Sequence, residues 1–213
     1  MTELKLDISI SLDGYVAGPD TPTLDDPLGS RGEELHEWVF AAASWREAHG
    51  REGGERGVDS DVVAEHVASV GATIMGRRMF SGGSGDWADD PNGNGWWGDE
   101  PPFHHQVFVL THHEREPLEL TGTTFHFITD GIQSALDQAR EAAGDKAVAV
   151  AGGAEAAQQY LNAGLVNQVQ LHITPAVFGS GTSLLAGLNP TLRWEQTKAI
   201  EGNGVTHVTY RIS

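Results

Sequence analysis

The chain has 213 residues, no cysteine and a formal net charge of −17. Without cysteine it cannot form a disulfide, a thiolate metal ligand or a cysteine nucleophile. The negative surplus disfavours binding to nucleic acid or anionic membranes, which requires clustered Lys and Arg. No apolar run could span a bilayer and no signal-peptide pattern follows Met1, so we expect one domain, residues 1–213, in the cytoplasm.

The first predicted element is a strand from Leu4 to Leu12, in which apolar and polar residues alternate. The turn residues Asp13 and Gly14 end it and begin a long irregular segment. The spacing over residues 33–47 then predicts a helix with one apolar stripe. That stripe is typical of core packing, and the alternative is that Trp38 or Phe40 faces a planar ligand.

The next stretch, residues 46–58, is charged and glycine-rich, and it predicts a mobile loop. A helix capped by Asp59 or Ser60 follows it and runs to Ser69. His66 on this helix is interpreted as a partly buried surface histidine, not as a ligand.

A short apolar strand from Ala72 to Met75 leads directly into Gly76, Arg77 and Arg78. The two arginines place positive charge at the carboxyl end of a strand, where open α/β sheets bind ligands. They either form salt bridges with nearby carboxylates or contact a phosphate through the guanidinium fork.

The segment 81–105 is rich in Gly, Asp, Pro and Trp and shows no regular period. Its tryptophans could cover a pocket as a lid, or tie the segment to the body of the protein or to a second subunit. The histidine pairs at 104–105 and 112–113 lack the spacing of a metal site, so no metal is expected.

Further strands are predicted at Val107–Leu110 and Thr124–Ile128. Thr111 and His112 follow the first of these and could contact a phosphate or cap a turn. A helix capped by Asp130 is predicted over residues 131–143.

The stretch 146–185 holds the strongest local signal. A buried strand, Ala147–Val150, turns through Gly152 and Gly153 into a helix, Ala154–Asn162, and a long strand, Asn167–Val177, comes next. Backbone N–H groups at such a helix start have no partners and point toward a common site, which favours an anion. Residues 192–200 and 205–212 predict a closing hairpin, so the sheet is mixed and mostly parallel.

Five sequence blocks follow one another along nearly the whole chain: ISLDGYVAG, TIMGRRMF, VFVLTHH, VAGGAEAAQQYL and LHITPAVFGSGTSLL. Together they resemble the dihydrofolate reductase-like superfamily. The similarity is greatest to the branch containing the reductase domain of the bifunctional riboflavin-biosynthesis deaminase-reductase. The resemblance implies an α/β, three-layer α/β/α fold with a mostly parallel central sheet and an antiparallel C-terminal hairpin. It also implies NADPH as cofactor, bound at the carboxyl ends of strands, and a homodimer.

Matched by position, the resemblance assigns the cofactor to residues at four strand ends. These are Ile10, Gly14, Gly76, Arg77, Arg78, Thr111, His112, Val150, Ala151, Gly152, Gly153, Ala154 and Glu155. The substrate is expected to contact Tyr15, Trp38, His172, Thr174 and Pro175. Asp13 is the candidate catalytic acid, as a proton donor or an orienting group; the alternative is a turn residue that caps the loop backbone.

The resemblance therefore implies an NADPH-dependent reductase that transfers a hydride to a small planar, heterocyclic substrate. The residues over 35–45 are apolar or aromatic apart from Glu37, which disfavours folate reduction because folate reductases carry an acidic residue on their first helix. A chain of 213 residues cannot also hold a deaminase domain. The alternative is a non-catalytic dinucleotide-binding or dimeric interaction protein that keeps the fold, and a flavin-binding variant is a third possibility.

Overall fold

A computed structural model describes residues 2–20, 26 and 28–213. The strands are β1 (Leu4–Ile10), β2 (Tyr15–Ala17), β3 (Val70–Gly76), β4 (Gln106–Leu110), β5 (Leu118–Leu120), β6 (Thr123–Ile128), β7 (Ala147–Gly152), β8 (Gln168–Ile173), β9 (Thr182–Ser183), β10 (Trp194–Glu201) and β11 (Thr206–Ile212). The helices are α1 (Glu37–Ala41), α2 (Ala43–Ala48), α3 (Val58–Ser69), α4 (Arg77–Ser81), α5 (Ile132–Ala143) and α6 (Ala154–Asn162), with 3-10 turns at Gly32–Leu35 and Trp87–Asp89.

Nine of these strands form one sheet in the order β10-β11-β8-β1-β7-β3-β4-β6-β5. The six central strands from β8 to β6 pair in parallel, and the hairpin of β10 and β11 adds two antiparallel strands at one edge. The predicted mixed, mostly parallel sheet with an antiparallel C-terminal hairpin is thus confirmed. The short strand β5, which the sequence analysis did not predict, makes the other edge antiparallel as well.

One face of the sheet holds the main hydrophobic core. Alternate residues of β1, among them Leu4, Leu6 and Ile10, are buried there with the inner faces of α5 and α6. Side chains alternate across a strand, so the intervening residues Asp7 and Ser9 lie on the opposite face.

The opposite face is covered by a second layer. Trp38 of α1 and Val63 of α3 form one apolar cluster with Val205. Farther along the sheet, the segment 82–105 packs its aromatic residues on Phe80 and Phe125. Helices and covering segments therefore lie on both sides of the sheet, as the three-layer α/β/α prediction requires. No helix in the described ranges is long and apolar enough to cross a membrane.

The single helix predicted over residues 33–47 is wrong. Ala42 adopts an extended conformation between α1 and α2. The cause is local pairing with the charged loop, because Glu55 N–H donates to Ala41 O at 2.7 Å and Ala43 N–H donates to Glu55 O at 2.9 Å. The loop over 46–58 thus bridges to the helical segment instead of lying free of it.

Two predicted helix caps are also wrong. Gly57 and Gly131 occupy the cap positions of α3 and α5, with no side-chain cap at either. The Asp59 side chain instead accepts hydrogen bonds from His207 and from the backbone of Asn203.

The long strand predicted to end at Val177 ends at Ile173. Thr174 N–H donates to Ile10 O at 3.0 Å, but the next residue, Pro175, has no N–H with which to continue the ladder.

Tyr160 provides a test of the packing of α6 against α5. Its ring is fully buried and its hydroxyl donates to Ile132 O at 2.8 Å. We expect Tyr160→Phe to lower the free energy of unfolding by about 1 kcal/mol, because it removes one buried hydrogen bond without changing the ring. Urea denaturation measures the change. Tyr210→Phe, at a partly buried tyrosine that packs on Trp194, is the matched control and should leave the midpoint unchanged.

Candidate active site

The predicted glycine turn lies at the carboxyl end of β7. Gly152 has φ 118°, a conformation that favours glycine, and the Gly152–Gly153 peptide bond is cis. A Cβ built on Gly153 would meet no atom within 4 Å, so the space above the turn is open. The nine-residue helix α6 starts at Ala154 without a side-chain cap. Its first N–H groups therefore face an open space at the positive end of the helix dipole.

The end of β3 lies beside this turn. Met75 pairs with Gly152 in the sheet, and a Cβ on Gly76 would lie 3.7 Å from Gly153 N. The structure thus brings together two of the strand ends that the sequence analysis assigned to the cofactor.

The two arginines that follow β3 have different environments, and that of Arg77 favours the salt-bridge alternative over a phosphate contact. The Arg77 side chain is 7% exposed, its Nη2 lies 2.5 Å from Asp90 Oδ2, and Ser81 Oγ accepts a hydrogen bond from Nη1. The ring of Trp87 covers its guanidinium with the centroid at 3.5 Å. Arg77 therefore anchors the segment 82–105 through a salt bridge, one of the two alternatives that the sequence analysis gave for it. Arg78 is 67% exposed and lies 3.7 Å from Glu155 at the start of α6.

The tryptophan-rich segment is tied to the body of the protein. Trp87 Nε1–H donates to His113 O at 2.9 Å, and the Trp87 ring packs edge-to-face on Phe127 at 4.8 Å. Trp97 packs on Phe103 at 4.9 Å. These contacts favour the body-anchoring interpretation over a lid.

Thr111 and His112 follow β4, the neighbour of β3. The buried Thr111 hydroxyl accepts a hydrogen bond from His113 N–H at 3.2 Å, so it caps the turn. His112 is exposed. Of these two residues, His112 has the side chain that a ligand at the sheet edge can reach.

Asp13 is an acceptor in a loop, which favours the alternative of a loop-capping residue over that of a proton donor. Its carboxylate accepts hydrogen bonds from Ser11 Oγ at 2.6 Å, Gly179 N at 2.6 Å and Phe178 N at 3.1 Å. The hydrogen bond from Ser11, followed by the backbone ones, lowers the pKa of Asp13. A carboxylate stabilised in its ionised form holds no proton to donate, so Asp13 fixes the loop against residues 178–179.

The other residues expected near the nicotinamide and the substrate lie around this loop. Ile10 and Thr174 are buried, Pro175 is exposed, and Tyr15 packs on Leu35 and Phe178. Gly14 has φ 93° and its carbonyl accepts from Leu184 N–H at 3.3 Å.

Trp38 and His172, both expected to contact the substrate, are buried against one another. Their ring centroids are 4.5 Å apart, and Trp38 Nε1–H donates to Ser9 Oγ at 3.0 Å. His172 Nε2 lies 2.9 Å from Asp7 Oδ1, and its Nδ1 lies 2.7 Å from His207 Nδ1. His172 is 2% exposed and hydrogen-bonded at both nitrogens, which favours a structural role over direct contact with a substrate.

A cavity of about 210 Å³, which we call the imidazole-lined cavity, lies on the same face of the sheet. Trp45 and Phe103 supply aromatic walls, and the small residues Ala149 and Ala151 of β7 supply its floor next to the glycine turn. Its polar lining consists of Asp7, His49, His66, Thr73 and His105.

The sequence analysis did not single out Asp7, it considered His105 only as a metal ligand, and it interpreted His66 as a partly buried surface histidine. Asp7 and His66 form an ion pair with Oδ2 and Nδ1 3.2 Å apart. The residues that line the cavity come from β1, α2, α3, β3 and β7. The periodicity of side chains along each strand and helix was the one sequence signal that could have placed them on a common face.

A second cavity of about 430 Å³ lies beyond Trp38 and is lined mainly by polar residues, including Glu55, Asp59 and Glu201. Within the described residues, no group of three or more His, Asp or Glu side chains is arranged to hold a metal ion.

His105 should make stability depend on pH. Burial lowers its pKa to about 4, and its Nε2 lies 2.8 Å from Thr73 Oγ1. The unfolded chain, with a histidine pKa of about 6.5, binds the proton first as pH falls, so acid favours unfolding over this range. We expect His105→Gln to reduce the loss of unfolding free energy between pH about 6.5 and about 4, measured by urea denaturation. The exposed His112→Gln is the control, and an equal slope in both variants would contradict the assignment.

Comparison with known proteins agrees with this fold. The model of the RibD C-terminal domain family matches residues 3–208. A riboflavin biosynthesis protein from Shewanella sp. PV-4 superposes with a TM-score of 0.63 at 19% identity, covering 100% of this chain and 99% of that one. Dihydrofolate reductase from Enterococcus faecalis, complexed with NADP(H), gives 0.53 at 12% identity, covering 99% and 96%.

A third structure is a longer enzyme from Thermotoga maritima, a diaminohydroxyphosphoribosylaminopyrimidine deaminase/5-amino-6-(5-phosphoribosylamino)uracil reductase. It gives a TM-score of 0.58 at 13% identity, and the match covers 99% of this chain and 56% of that chain. No curated protein sequence matches the chain. Likeness at these identities shows the dihydrofolate reductase-like fold, and the family match over residues 3–208 shows more: the chain belongs to the RibD C-terminal domain family.

Proposed function

We propose that the protein is an NADPH-dependent reductase that transfers a hydride to a small planar heterocycle. The observation that supports this most directly is the open space at Gly153, where the start of α6 meets the end of β3 and the exposed Arg78. The family match supports a reductase related to those of riboflavin biosynthesis.

The residues at these strand ends fit a phosphorylated dinucleotide. The N–H groups at the start of α6 suit a pyrophosphate, since Gly152 and Gly153 leave no side chain in its way. Arg78 suits the additional phosphate that distinguishes NADPH from NADH, and it would exchange its exposed contact with Glu155 for that phosphate. When bound, NADPH supplies the hydride; the protein binds, aligns and shields the reactants.

The imidazole-lined cavity is our candidate for the substrate. Its β7 wall, Ala149–Ala151, continues directly into the glycine turn, so a ligand there lies next to the strand end that would hold the cofactor. The aromatic rings of Trp45 and Phe103 suit a planar ring, and the lining carboxylate and imidazoles suit its polar atoms. Among the described residues, neither Lys nor Arg lines this cavity, so it suits the uncharged ring of a substrate and not a phosphate group.

A titration with the four nicotinamide dinucleotides tests the cofactor assignment. We expect NADPH and NADP to bind more tightly than NADH and NAD, and Arg78→Ala to reduce this preference roughly tenfold by removing one charge-assisted contact. Arg211→Ala, at an exposed arginine paired with Glu195, is the matched control and should change nothing. Arg77→Ala should lower stability, because it leaves Asp90 without its buried partner.

Absence of binding by all four dinucleotides would refute the reductase and favour the non-catalytic interaction protein. If NADPH binds, its oxidation is followed with 5-amino-6-(5-phosphoribosylamino)uracil, the compound named for the Thermotoga maritima enzyme, and with phosphate-free planar carbonyl compounds. The lining of the cavity leads us to expect turnover without a phosphate on the acceptor.

A further inference from the structure

The imidazole-lined cavity contains an ionisable pair that hydride transfer alone does not require. His66 Nδ1 lies 3.2 Å from Asp7 Oδ2, and the His66 side chain is 30% exposed. Both residues line the cavity. The contact with Asp7 uses Nδ1, which leaves Nε2 as the ring nitrogen of His66 for a ligand in the cavity.

Asp7 is held from behind by a buried chain of hydrogen bonds. His172 Nε2 lies 2.9 Å from Asp7 Oδ1, and the two Nδ1 atoms of His172 and His207 are 2.7 Å apart. His207 Nε2 lies 2.9 Å from Asp59 Oδ1, which completes the chain. Trp38 packs over both imidazoles, with ring centroids at 4.5 and 4.9 Å.

A count of protons fixes the charge of this chain. Its three hydrogen bonds need three protons, and two neutral imidazoles provide only two. One of the two rings is therefore an imidazolium when both carboxylates are ionised. Two carboxylates and one imidazolium leave one negative charge in a mostly buried site, and a protonated His66 cancels it.

The charges of the groups that face His66 from other elements are consistent with a protonated His66. They are Asp7 and Lys5 on β1, His49 on α2, and His105 before β4. Burial lowers the pKa of both His49 and His105, so these two are neutral at pH 7. Burial and Lys5 oppose a charge on His66, but Asp7 overcomes them and raises the pKa of His66. Burial of Asp7 is likewise outweighed by His66 and His172, which lower its pKa.

We propose that His66 is the catalytic proton donor of the reduction, a role that rests on the hydride transfer proposed above. As the substrate carbon of a C=O or C=N bond accepts the hydride, the electron pair of that bond moves to the heteroatom. The heteroatom takes the proton from Nε2 of His66, NADPH becomes NADP, and water reprotonates the neutral His66. Asp7 stabilises the imidazolium. His172, His207 and Asp59 are positioning residues that keep Asp7 ionised and oriented.

The test uses 2-methyl-1,4-naphthoquinone as a probe, a planar carbonyl acceptor that does not titrate between pH about 5 and about 9. The absence of cysteine removes the thiols that would react with it. Binding to the full chain without cofactor is measured against pH, and ¹⁵N NMR of the imidazoles follows His66 in the same samples. We expect affinity to fall about tenfold as pH rises through the His66 titration.

His66→Gln should abolish this pH dependence, and Asp7→Asn should move it to lower pH. Glu65→Gln is the matched control on the same helix, since Glu65 pairs with Lys198 instead. With NADPH present, His66→Gln should lower kcat about a hundredfold and leave the affinity for NADPH unchanged. Because Asp7→Asn can disturb the buried chain, the His66 variant decides the question if Asp7→Asn does not fold.

Quinone affinity that is independent of pH, that is unchanged in His66→Gln or that is absent at millimolar concentration would overturn the proposal. So would a kcat that the His66 variant retains. Failure of NADPH to bind, with His66-dependent quinone binding intact, would refute the reductase separately, because the two measurements report on different parts of the site.

Discussion

The layer of helices that covers the second face of β1 depends on one carboxylate, that of Asp7. The apolar residues of this strand face the core formed with α5 and α6, so alternation places Asp7 and Ser9 under α1, α2 and α3. A charge under a covering layer costs several kcal/mol unless it is paired. Asp7 is paired with His172 of β8 and with His66 of α3. Beside it, Ser9 accepts a hydrogen bond from the indole N–H of Trp38. His66 and His172 thus compensate the charge of one aspartate.

Strand β7 joins the two halves of the candidate site. Val148 and Val150 point into the dry core and hold the strand in register between β1 and β3. Ala149 and Ala151 alternate with them and line the cavity with small side chains, which leaves room for a ring. The strand then ends in the glycine turn. The apolar face therefore supports the proposed cofactor half of the site, and the polar face supports the proposed substrate half.

Local patterns were sufficient for part of this arrangement. The bounds of α6, the glycine turn and its approach to the end of β3 followed from strand, turn and helix signals within short windows. The partner of Arg77 did not, because Asp90 lies in a segment without any period. Asp7 and His172 are 165 positions apart, and only the pairing of β1 with β8 brings them together. Alternation shows that a strand has two faces, but it does not show what covers the polar one.

The acidity of the chain bears on why the candidate site combines two kinds of positive group, an arginine at the strand ends and a histidine in the cavity. With a net charge of −17, carboxylates compete for every cation, and the buried Arg77 is paired with Asp90. An exposed arginine such as Arg78 can exchange a weak surface contact for a phosphate. A guanidinium does not release its proton in a protein, so an arginine could not supply the proton that the substrate needs after hydride transfer. An imidazolium stabilised by one carboxylate can, because its charge is held in the resting site and lost in the reaction. Fixed charge at the strand ends and titratable charge in the cavity therefore match the two different demands of the proposed chemistry.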